Sequence, residues 1–322
     1  MIKFINAENA MKCTDFVEFS LYLERELVKQ NDGLNPTREF FSLPDISAVW
    51  LNMSILDRSR DAFLVKLVSE YQKNPSISRD KVTGITMLAK ASTGEIMSLM
   101  DSNFVTGLRT GVQAALFVKM IHHSEGGVLG IIGSGNEAYF IALSILKTEK
   151  FESVIIYSPN PAHRQELSRK LSAECRMADT AESADAVITM SDVIVLATNS
   201  PNPVISGKNV KKGAVIVSIG TLPDRKELDE ESIKRAKTLT ADLRSHVLKD
   251  SGDMANAVKK KIINERDVNE FREIIQGMKF TERNVGDIHI FKSVGYAELD
   301  LIAALYLHEK AEKLGLYENV HN

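Results

Sequence analysis

The stretch that decides the fold of this chain runs Leu129-Gly-Ile-Ile-Gly133-Ser-Gly135-Asn-Glu-Ala138. An apolar strand leads into Gly133-x-Gly135-x-x-Ala138, the pattern of a phosphate-binding turn in dinucleotide-binding domains. The glycines let the backbone turn tightly and approach a pyrophosphate, whose charge is met by N–H groups at the start of the next helix. The same pattern also fits an ordinary corner between a strand and a helix, so its surroundings decide.

The residues after this turn alternate between strand and helix patterns. Short apolar runs rich in β-branched residues occupy 153–157, 193–197 and 214–219, and amphipathic stretches occupy 162–173 and 180–190. This alternation predicts a doubly wound parallel sheet, whose ligands bind at the carboxyl ends of the strands. The loops expected at those ends span residues 133–138, 158–160, 198–200 and 220–223, and we expect them to converge on one crevice.

Composition favours a soluble enzyme of about two domains. The 322 residues carry a formal net charge of −3 and give a pI near 6.2, which provides no field that would recruit nucleic acid or an acidic membrane. Cys13 and Cys175 are too few and too far apart for a disulfide framework or a metal-ligand cluster. The N-terminus lacks the pattern of an export signal, and we expect a cytoplasmic location without membrane or nucleic-acid partners.

The first hundred residues predict a different architecture. One amphipathic helix spans 15–29, and apolar runs at 47–53, 63–69, 84–89 and 95–100, the last two joined by a Thr93-Gly94 turn, predict a mainly antiparallel sheet. At the other end of the chain, residues 299–314 predict a helix that packs back on this N-terminal domain.

Three cationic residues in this first domain carry the most chemical information. Lys66 interrupts an apolar strand, where it either pairs with a carboxylate in the interior or points outward from a one-sided sheet. Arg38 and Arg109 lie where a strand and a helix are expected to begin. Because the guanidinium fork donates two parallel hydrogen bonds to a carboxylate, this set suits a small amino or keto acid.

The chain resembles the ornithine cyclodeaminase and mu-crystallin family over nearly its whole length. The matching segments are Pro36-Thr-Arg38, Val65-Lys66-Leu-Val, Thr93-Gly-Glu, Leu108-Arg109-Thr110, Gly130-Ile-Ile-Gly133-Ser-Gly135-Asn-Glu-Ala138, Ala197-Thr198-Asn-Ser200 with Pro203-Val, and Phe291-Lys-Ser293-Val294-Gly295-Tyr-Ala-Glu-Leu-Asp300. The resemblance implies an α/β protein in which a Rossmann dinucleotide-binding domain, residues 113–289, is inserted into an α+β substrate-binding and dimerisation domain, residues 1–112 plus 290–322. It also implies a homodimer formed through the N-terminal domain.

The resemblance also implies roles for individual residues. Arg38, Lys66 and Arg109 would hold the substrate carboxylate, Lys66 would assist proton transfer, and Val294 would contact the substrate through its backbone. The positions implied to contact the dinucleotide are Lys81, Arg109, Thr110, Gly133, Gly135, Asn136, Glu137, Ser158, Thr198, Ser218, Gly220, Arg225 and Ser293. Alternatives stay open at three of them: Asn136 and Glu137 could act only through their N–H groups, and Thr198 could be a helix cap.

One departure from the family pattern concerns catalysis. Cyclodeaminases carry an aspartate in the loop after the fourth nucleotide-domain strand, and Thr221 stands at that catalytic position here. A threonine hydroxyl cannot act as a general base near neutral pH. Ornithine cyclisation is therefore disfavoured unless a loop shift lets Asp224 substitute, whereas imine reduction or dehydrogenation requires less of this position.

The other departure concerns the cofactor, NAD or NADP. NAD-specific domains carry an acidic residue at the end of the second strand, but here Tyr157 is followed by Ser158, Asn160 and Arg164. Without that carboxylate a 2′-phosphate meets no repulsion, which favours NADP(H), although Arg164 could be only a surface helix residue.

The sequence thus predicts an NAD(P)-dependent oxidoreductase that transfers hydride at the Cα–N bond of a small amino acid or its imine. The alternatives are ornithine cyclodeaminase, which forms proline and ammonia, and a ligand-binding protein that holds NADP without turnover.

Overall fold

The computed structural model describes residues 1–29, 33–36, 38–122, 126–175, 177–278 and 286–320. Thr37 of the predicted Pro36-Thr-Arg38 motif lies outside these residues. The strands are β1 (Ile2–Ile5), β2 (Gly33–Leu34), β3 (Glu39–Leu43), β4 (Ala48–Asp57), β5 (Ala62–Tyr71), β6 (Val82–Lys90), β7 (Ile96–Asp101), β8 (Val128–Ile132), β9 (Ser153–Tyr157), β10 (Ala178–Thr180), β11 (Val193–Leu196), β12 (Val215–Ser218), β13 (Ala236–Ala241), β14 (Val268–Glu270), β15 (Ile288–Lys292) and β16 (Glu318–Val320).

Helices alternate with these strands, and the chain divides into two compact units. The α-helices are α1 (Ala7–Cys13), α2 (Phe16–Leu27), α3 (Ser102–Ile121), α4 (Asn136–Thr148), α5 (Pro161–Leu171), α6 (Ala184–Met190), α7 (Glu230–Arg235), α8 (Arg244–Asp250), α9 (Gly252–Lys259), α10 (Phe271–Ile275) and α11 (Ala297–Leu314). The first unit comprises residues 1–109 and 296–322, and the second comprises residues 110–295. Helix α3 contains the boundary. It is apolar enough to suit a membrane span, but most of it is buried in the protein, as is typical of a core helix.

The first unit is built on an eight-stranded sheet in the order β16-β1-β7-β6-β5-β4-β2, with β3 also paired to β4. All pairs are antiparallel except β1 with β7. The apolar alternation of β5 directs Ala62 and Leu64 inward, and α11 packs on the sheet. The Thr93-Gly94 turn between β6 and β7 uses a glycine at φ +73°, a conformation that side chains disfavour.

The second unit contains an eight-stranded sheet that is parallel throughout, in the order β10-β9-β8-β11-β12-β15-β13-β14. From β8 the chain adds β9 and β10 on one side and then returns to place β11 on the other. The point where the strand order reverses therefore lies between β8 and β11, which is where such sheets bind their ligands. Buried Val, Ile and Leu residues fill both faces of the central strands, as parallel sheets require.

The structure corrects the boundary predicted at residue 290. Residues 290–322 were assigned to the first domain, but β15 pairs with β12 and β13 inside the second sheet. All five residues of this strand, Ile-His-Ile-Phe-Lys, are buried. Three strands after the glycine turn are predicted from the sequence, and this one is not among them. The first unit resumes only at Tyr296.

Candidate active site

Lys66 lies on the inner face of the first sheet, in a row of side chains that crosses several strands. It pairs with Met53 on β4 and with Thr86 on β6, and Thr86 in turn pairs with Met100 on β7. Lys66 is 2% exposed, and its neighbours in this row are equally buried. Of the two alternatives for Lys66, the structure therefore supports the interior one.

Asp300 supplies the carboxylate that this buried lysine requires. Its Oδ1 atom accepts hydrogen bonds from Lys66 Nζ at 2.9 Å and from Arg109 Nε at 3.0 Å. Burial raises the pKa of the Asp300 carboxyl, but Lys66 and Arg109 lower it more, and the pKa lies below its usual value. Its Oδ2 atom is buried without a hydrogen-bond partner among the described residues. Asp300 thus fixes the two cations predicted to bind substrate.

Arg38 extends this set toward the edge of the sheet. It immediately precedes β3, in which Glu39 pairs with Asn52, so continuation of the register leads from Arg38 to Met53 and then to Lys66. Arg38 is 8% exposed and its guanidinium lies 6.0 Å from the Phe40 ring. With neighbouring strands about 4.8 Å apart, Arg38 and Lys66 are two strand spacings apart, a span that a small carboxylate can bridge through long side chains.

Lys81, predicted to contact the dinucleotide, lies apart from the row of side chains around Lys66. It precedes β6 by one residue, and its Nζ atom lies 3.3 Å from Glu70. Thr86 on the same strand is the residue opposite Lys66, and five residues of strand separate the two by about 16 Å. A contact between Lys81 and the dinucleotide stays a prediction. Thr86 is fully buried and its hydroxyl bonds Ser102 at 2.9 Å.

The glycine turn of the second unit has the geometry that a dinucleotide requires. Gly133 adopts φ +122°, and a Cβ atom there would lie 2.1 Å from the carbonyl oxygen of Ala197. Gly135 is exposed, and a Cβ atom there would meet nothing within 4 Å. Helix α4 begins directly after Gly135 with no side-chain cap. The turn therefore leaves open space beside a helix N-terminus, as pyrophosphate binding demands.

Contacts of Asn136 and Glu137, the first residues of α4, are consistent with either alternative considered for them. Asn136 is exposed, and its Nδ2 atom donates to Glu137 Oε1 at 3.3 Å.

Two threonines were also predicted to contact the dinucleotide. Thr110, one residue after Arg109 on α3, is 4% exposed. Thr198 is not a helix cap, because no helix follows β11 directly. Its Oγ1 atom instead accepts from Ser200 N at 3.3 Å within a loop.

A buried carboxylate, Glu227, holds the loops at the carboxyl ends of β11 and β12. It accepts hydrogen bonds from Thr198 N at 2.6 Å, Ser218 Oγ at 2.7 Å and Gly220 N at 2.7 Å. Burial raises the pKa of Glu227, and the Lys292 ammonium, 3.8 Å away, opposes this only partly. All three loop positions were predicted to contact the dinucleotide, whereas sequence reasoning assigned no role to Glu227.

Lys292 and Asp253 complete this buried group. Lys292 Nζ donates to Ser218 Oγ at 2.8 Å and to Asp253 Oδ2 at 3.1 Å. Asp253 also accepts from the backbone N–H groups of Glu227 and Leu228. Burial raises the pKa of Asp253, but the nearby Lys292 lowers it more, so the pKa lies below its usual value. The lysine therefore favours Asp253, its closer carboxylate, and Glu227 is held mainly by neutral donors.

A second buried aspartate shapes the loop after β15. Asp242, at the end of β13, accepts from Ser293 Oγ at 2.7 Å, Val294 N at 3.0 Å and Gly295 N at 2.6 Å. Because the N–H group of Val294 is engaged here, the substrate contact implied for its backbone would have to use its carbonyl oxygen. The Ser293 hydroxyl likewise keeps only its acceptor capacity for a cofactor. Sequence reasoning missed Asp242 because its partners lie about fifty residues away.

Thr221 uses its hydroxyl proton within its own loop. Its hydroxyl donates to the carbonyl oxygen of Ile219 at 3.1 Å. Leu222 follows with φ +93°, a strained conformation for a branched side chain, and the backbone then turns so that Asp224 is exposed. Arg225 is half-buried, and its N–H group donates to the carbonyl oxygen of Leu222 at 3.1 Å.

The fold and these groups define a class of enzyme. Its second unit is a Rossmann-type dinucleotide-binding unit, and its first unit carries a buried cationic site for a carboxylate. The chain belongs to the ornithine cyclodeaminase/mu-crystallin family, whose model matches residues 5–315. The predicted family, the α/β fold with its Rossmann-type core and the assignment as an NAD(P)-dependent oxidoreductase are confirmed by this membership and by its relatives.

Three relatives illustrate the similarity. A Δ1-pyrroline-2-carboxylate reductase of Bacillus cereus is 26% identical over 315 residues, covering 97% of this chain and 96% of its own. The ketimine reductase mu-crystallin of Macropus fuliginosus is 28% identical over 260 residues, covering 80% and 79%. The structure of Thermococcus litoralis Δ1-pyrroline-2-carboxylate reductase in complex with NADH and L-proline superposes with a TM-score of 0.93 at 28% identity, covering 99% of this chain and all of that one.

Proposed function

We propose that this protein reduces a small cyclic α-imino acid, with Δ1-pyrroline-2-carboxylate as the first candidate, to the corresponding L-amino acid. The observation that carries the proposal is the buried pairing of Lys66 and Arg109 with Asp300, with Arg38 also buried on the neighbouring strand edge, combined with Thr221 at the position of the cyclodeaminase aspartate. The reductases among the relatives act on imino acids of this kind by name, which supports the same substrate class here.

Charge explains why this site suits a carboxylate. Arg38, Lys66 and Arg109 bring cationic groups to this buried site, where Lys66 and Arg109 share the Asp300 carboxylate. The cations attract a substrate carboxylate, and the buried surroundings strengthen that attraction relative to water. The two guanidinium groups fix the orientation of the substrate, and a small ring suits the Met53, Thr86 and Met100 side chains in the same row as Lys66.

Lys66 is the group that we assign to proton supply. Reduction of a C=N bond adds a hydride to carbon and a proton to nitrogen, and bound NAD(P)H supplies the hydride. The Lys66 ammonium is oriented by Asp300 at 2.9 Å, so it is held as a cation in the interior. An ammonium beside the imine nitrogen polarises the C=N bond and provides the proton that the product amine requires.

The experiment is a substrate screen in which turnover is measured by the absorbance of the reduced nicotinamide. We expect oxidation of NADH or NADPH with Δ1-pyrroline-2-carboxylate or its six-membered homologue, with one equivalent of cofactor consumed per equivalent of L-amino acid formed. Pyruvate with ammonia or methylamine tests open-chain imines in the same assay. Absence of turnover with every imine would refute the proposal.

Ornithine cyclodeamination makes an opposite prediction in the same experiment. It would release ammonia from L-ornithine with only catalytic amounts of NAD, and it needs a base where Thr221 donates its hydroxyl to Ile219. We therefore expect no ammonia from ornithine. A protein that only binds the dinucleotide would show a fluorescence change with NADPH and no turnover of any substrate.

We also propose that the active protein is a homodimer formed through the first unit. All five residues of β3 are exposed, including Phe41 and Leu43, and Leu34 and Ile46 next to them are exposed as well. Exposed apolar groups of this size on an edge strand favour burial against a second copy of the chain. Light scattering after gel filtration should give twice the chain mass, and Phe41→Glu should give the monomer; a monomeric wild type would refute this.

A further inference from the structure

Glu182 lies at the edge of the second sheet where the adenosine half of a dinucleotide is expected. Strand β9 ends at Tyr157 and the parallel strand β10 beside it ends at Thr180, so both lead toward the same edge. In sheets of this type the loop after the second strand receives the adenosine ribose. Here that loop begins with Ser158, whose Oγ atom accepts a hydrogen bond from Ser134 of the glycine turn at 3.0 Å.

Arg164 joins this ribose loop to Glu182. Its Nη1 atom donates to the carbonyl oxygen of Ser158 at 3.3 Å, and its Nη2 atom donates to both carboxylate oxygens of Glu182 at 2.7 Å. The guanidinium also lies 5.8 Å from the Tyr157 ring, and Arg164 is 6% exposed. The arginine that could have bound a 2′-phosphate is therefore anchored to an acidic partner in the loop after β10.

We propose that Glu182 sets the dinucleotide preference: by pairing with Arg164 beside the ribose loop, it disfavours a 2′-phosphate and makes NAD(H) the preferred cofactor. This reverses the preference suggested by the absence of an acidic residue at the end of β9. The inference rests on the dinucleotide-binding fold, and it is independent of which imine or amino acid the protein converts.

Two physical arguments lead to this assignment. A 2′-phosphate beside Ser158 would approach a guanidinium whose charge is already offset by Glu182, so the attraction that NADP-binding arginines provide is largely lost. It would also approach the Glu182 carboxylate, and like charges repel. The hydroxyl groups of an unphosphorylated ribose carry no charge and meet neither disadvantage. The Glu182 side chain is 87% exposed, so its replacement leaves the fold intact while removing its charge.

The test compares dinucleotide affinities without any substrate. Binding of NADH and of NADPH is measured by fluorescence titration for the wild type, for Glu182→Gln and for the matched control Glu166→Gln. Glu166 lies on α5, is half exposed and pairs with Lys170, so its replacement removes one exposed carboxylate from the same unit. We expect wild type to bind NADH more tightly, and Glu182→Gln to bind NADPH about fivefold to tenfold more tightly with the NADH affinity changed less than twofold.

The outcomes separate the alternatives. Glu166→Gln should leave both affinities within twofold, and the gain at Glu182→Gln should shrink at high salt because the Glu182 carboxylate is exposed to solvent. Tighter binding of NADPH than of NADH by the wild type would overturn the proposal. An unchanged ratio of the two affinities in Glu182→Gln would also overturn it, whether or not any imine is reduced.

Discussion

Replacing Asp300 by asparagine removes the carboxylate that holds Lys66 and Arg109 in the first unit. The carboxylate accepts from these cations at 2.9 Å and 3.0 Å and is completely buried. Opposite unit charges about 4 Å apart attract by roughly 4 kcal/mol at an effective dielectric constant near 20, and desolvation of the carboxylate offsets part of this. Loss of one partner from a buried pair typically costs about 3–5 kcal/mol. Since the amide oxygen of asparagine can still accept one hydrogen bond, we expect a loss of about 3 kcal/mol in the free energy of unfolding.

Urea unfolding followed by tryptophan fluorescence measures this loss. Trp50 is the only tryptophan of the chain and lies on β4 of the same unit as Asp300, where its Nε1 atom donates to Tyr71. The matched control is Asp45→Asn, which removes an exposed carboxylate from this unit and should change stability by less than about 0.5 kcal/mol. A free energy of unfolding for Asp300→Asn within about 1 kcal/mol of wild type would refute the role of Asp300.

The pH dependence of the same difference tests its electrostatic origin. Burial raises the pKa of Asp300 and the two cations lower it more, so the folded protein holds this carboxyl below its unfolded pKa of about 3.9. A group with a lowered folded pKa contributes its full stability above the unfolded pKa, and this contribution falls as the pH drops through the folded pKa. The difference between wild type and Asp300→Asn should therefore be constant from about pH 5 to 7 and shrink below about pH 4. A difference that is equally large at about pH 3 would indicate lost packing instead of lost charge.

Four further substitutions test the two units. Lys66→Ala should lower kcat of imine reduction at least about 100-fold while NAD(P)H fluorescence titration shows unchanged dinucleotide affinity; unchanged turnover would exclude Lys66 from proton supply. Gly133→Ala should destabilise the protein by about 2 kcal/mol or more, because its Cβ would lie 2.1 Å from a carbonyl oxygen. Gly135→Ala should fold normally and lose only dinucleotide affinity. If thermal unfolding showed Gly135→Ala to be the less stable variant, the turn geometry would be contradicted. Glu227→Gln directs an amide N–H toward backbone donors such as Gly220 N, and we expect about tenfold weaker NADH binding, whereas equal affinity would show that Glu227 does not position these loops.

The dinucleotide-binding unit was predictable because its signals are local. The turn at Gly133 and Gly135 and the β-branched runs each occupy a few consecutive residues, and their alternation determines the sheet type. The sequence does not predict that β15 belongs to this sheet, because no local pattern within Ile288–Lys292 indicates which strands it pairs with. Its Ile-His-Ile-Phe-Lys pattern is compatible with a buried strand, but its place between β12 and β13 is a property of the whole chain.

The first unit shows the limit of sequence reasoning more clearly. The sequence singled out Lys66 as a charge inside an apolar strand and Arg109 where a helix was expected to begin, although α3 begins earlier, at Ser102. It did not identify their carboxylate, because Asp300 lies 234 positions beyond Lys66 on a helix that reads as an ordinary amphipathic segment. Thr86 was not predicted for a similar reason, since the residue opposite Lys66 follows from the register between β5 and β6.

Imine reduction and cyclodeamination require different proton transfers, and the residues of the two units favour reduction. Imine reduction consumes a proton at nitrogen, and Lys66, held as a cation by Asp300, can provide one. Cyclodeamination must in addition remove a proton from an amine, for which the family uses an aspartate at the position of Thr221. The Thr221 hydroxyl donates to the Ile219 carbonyl oxygen, and a threonine hydroxyl does not act as a proton acceptor near neutral pH. Restoring the carboxylate by Thr221→Asp should therefore produce measurable ammonia release from L-ornithine while imine reduction persists, and an absence of ammonia would show that more than this one residue separates the two reactions.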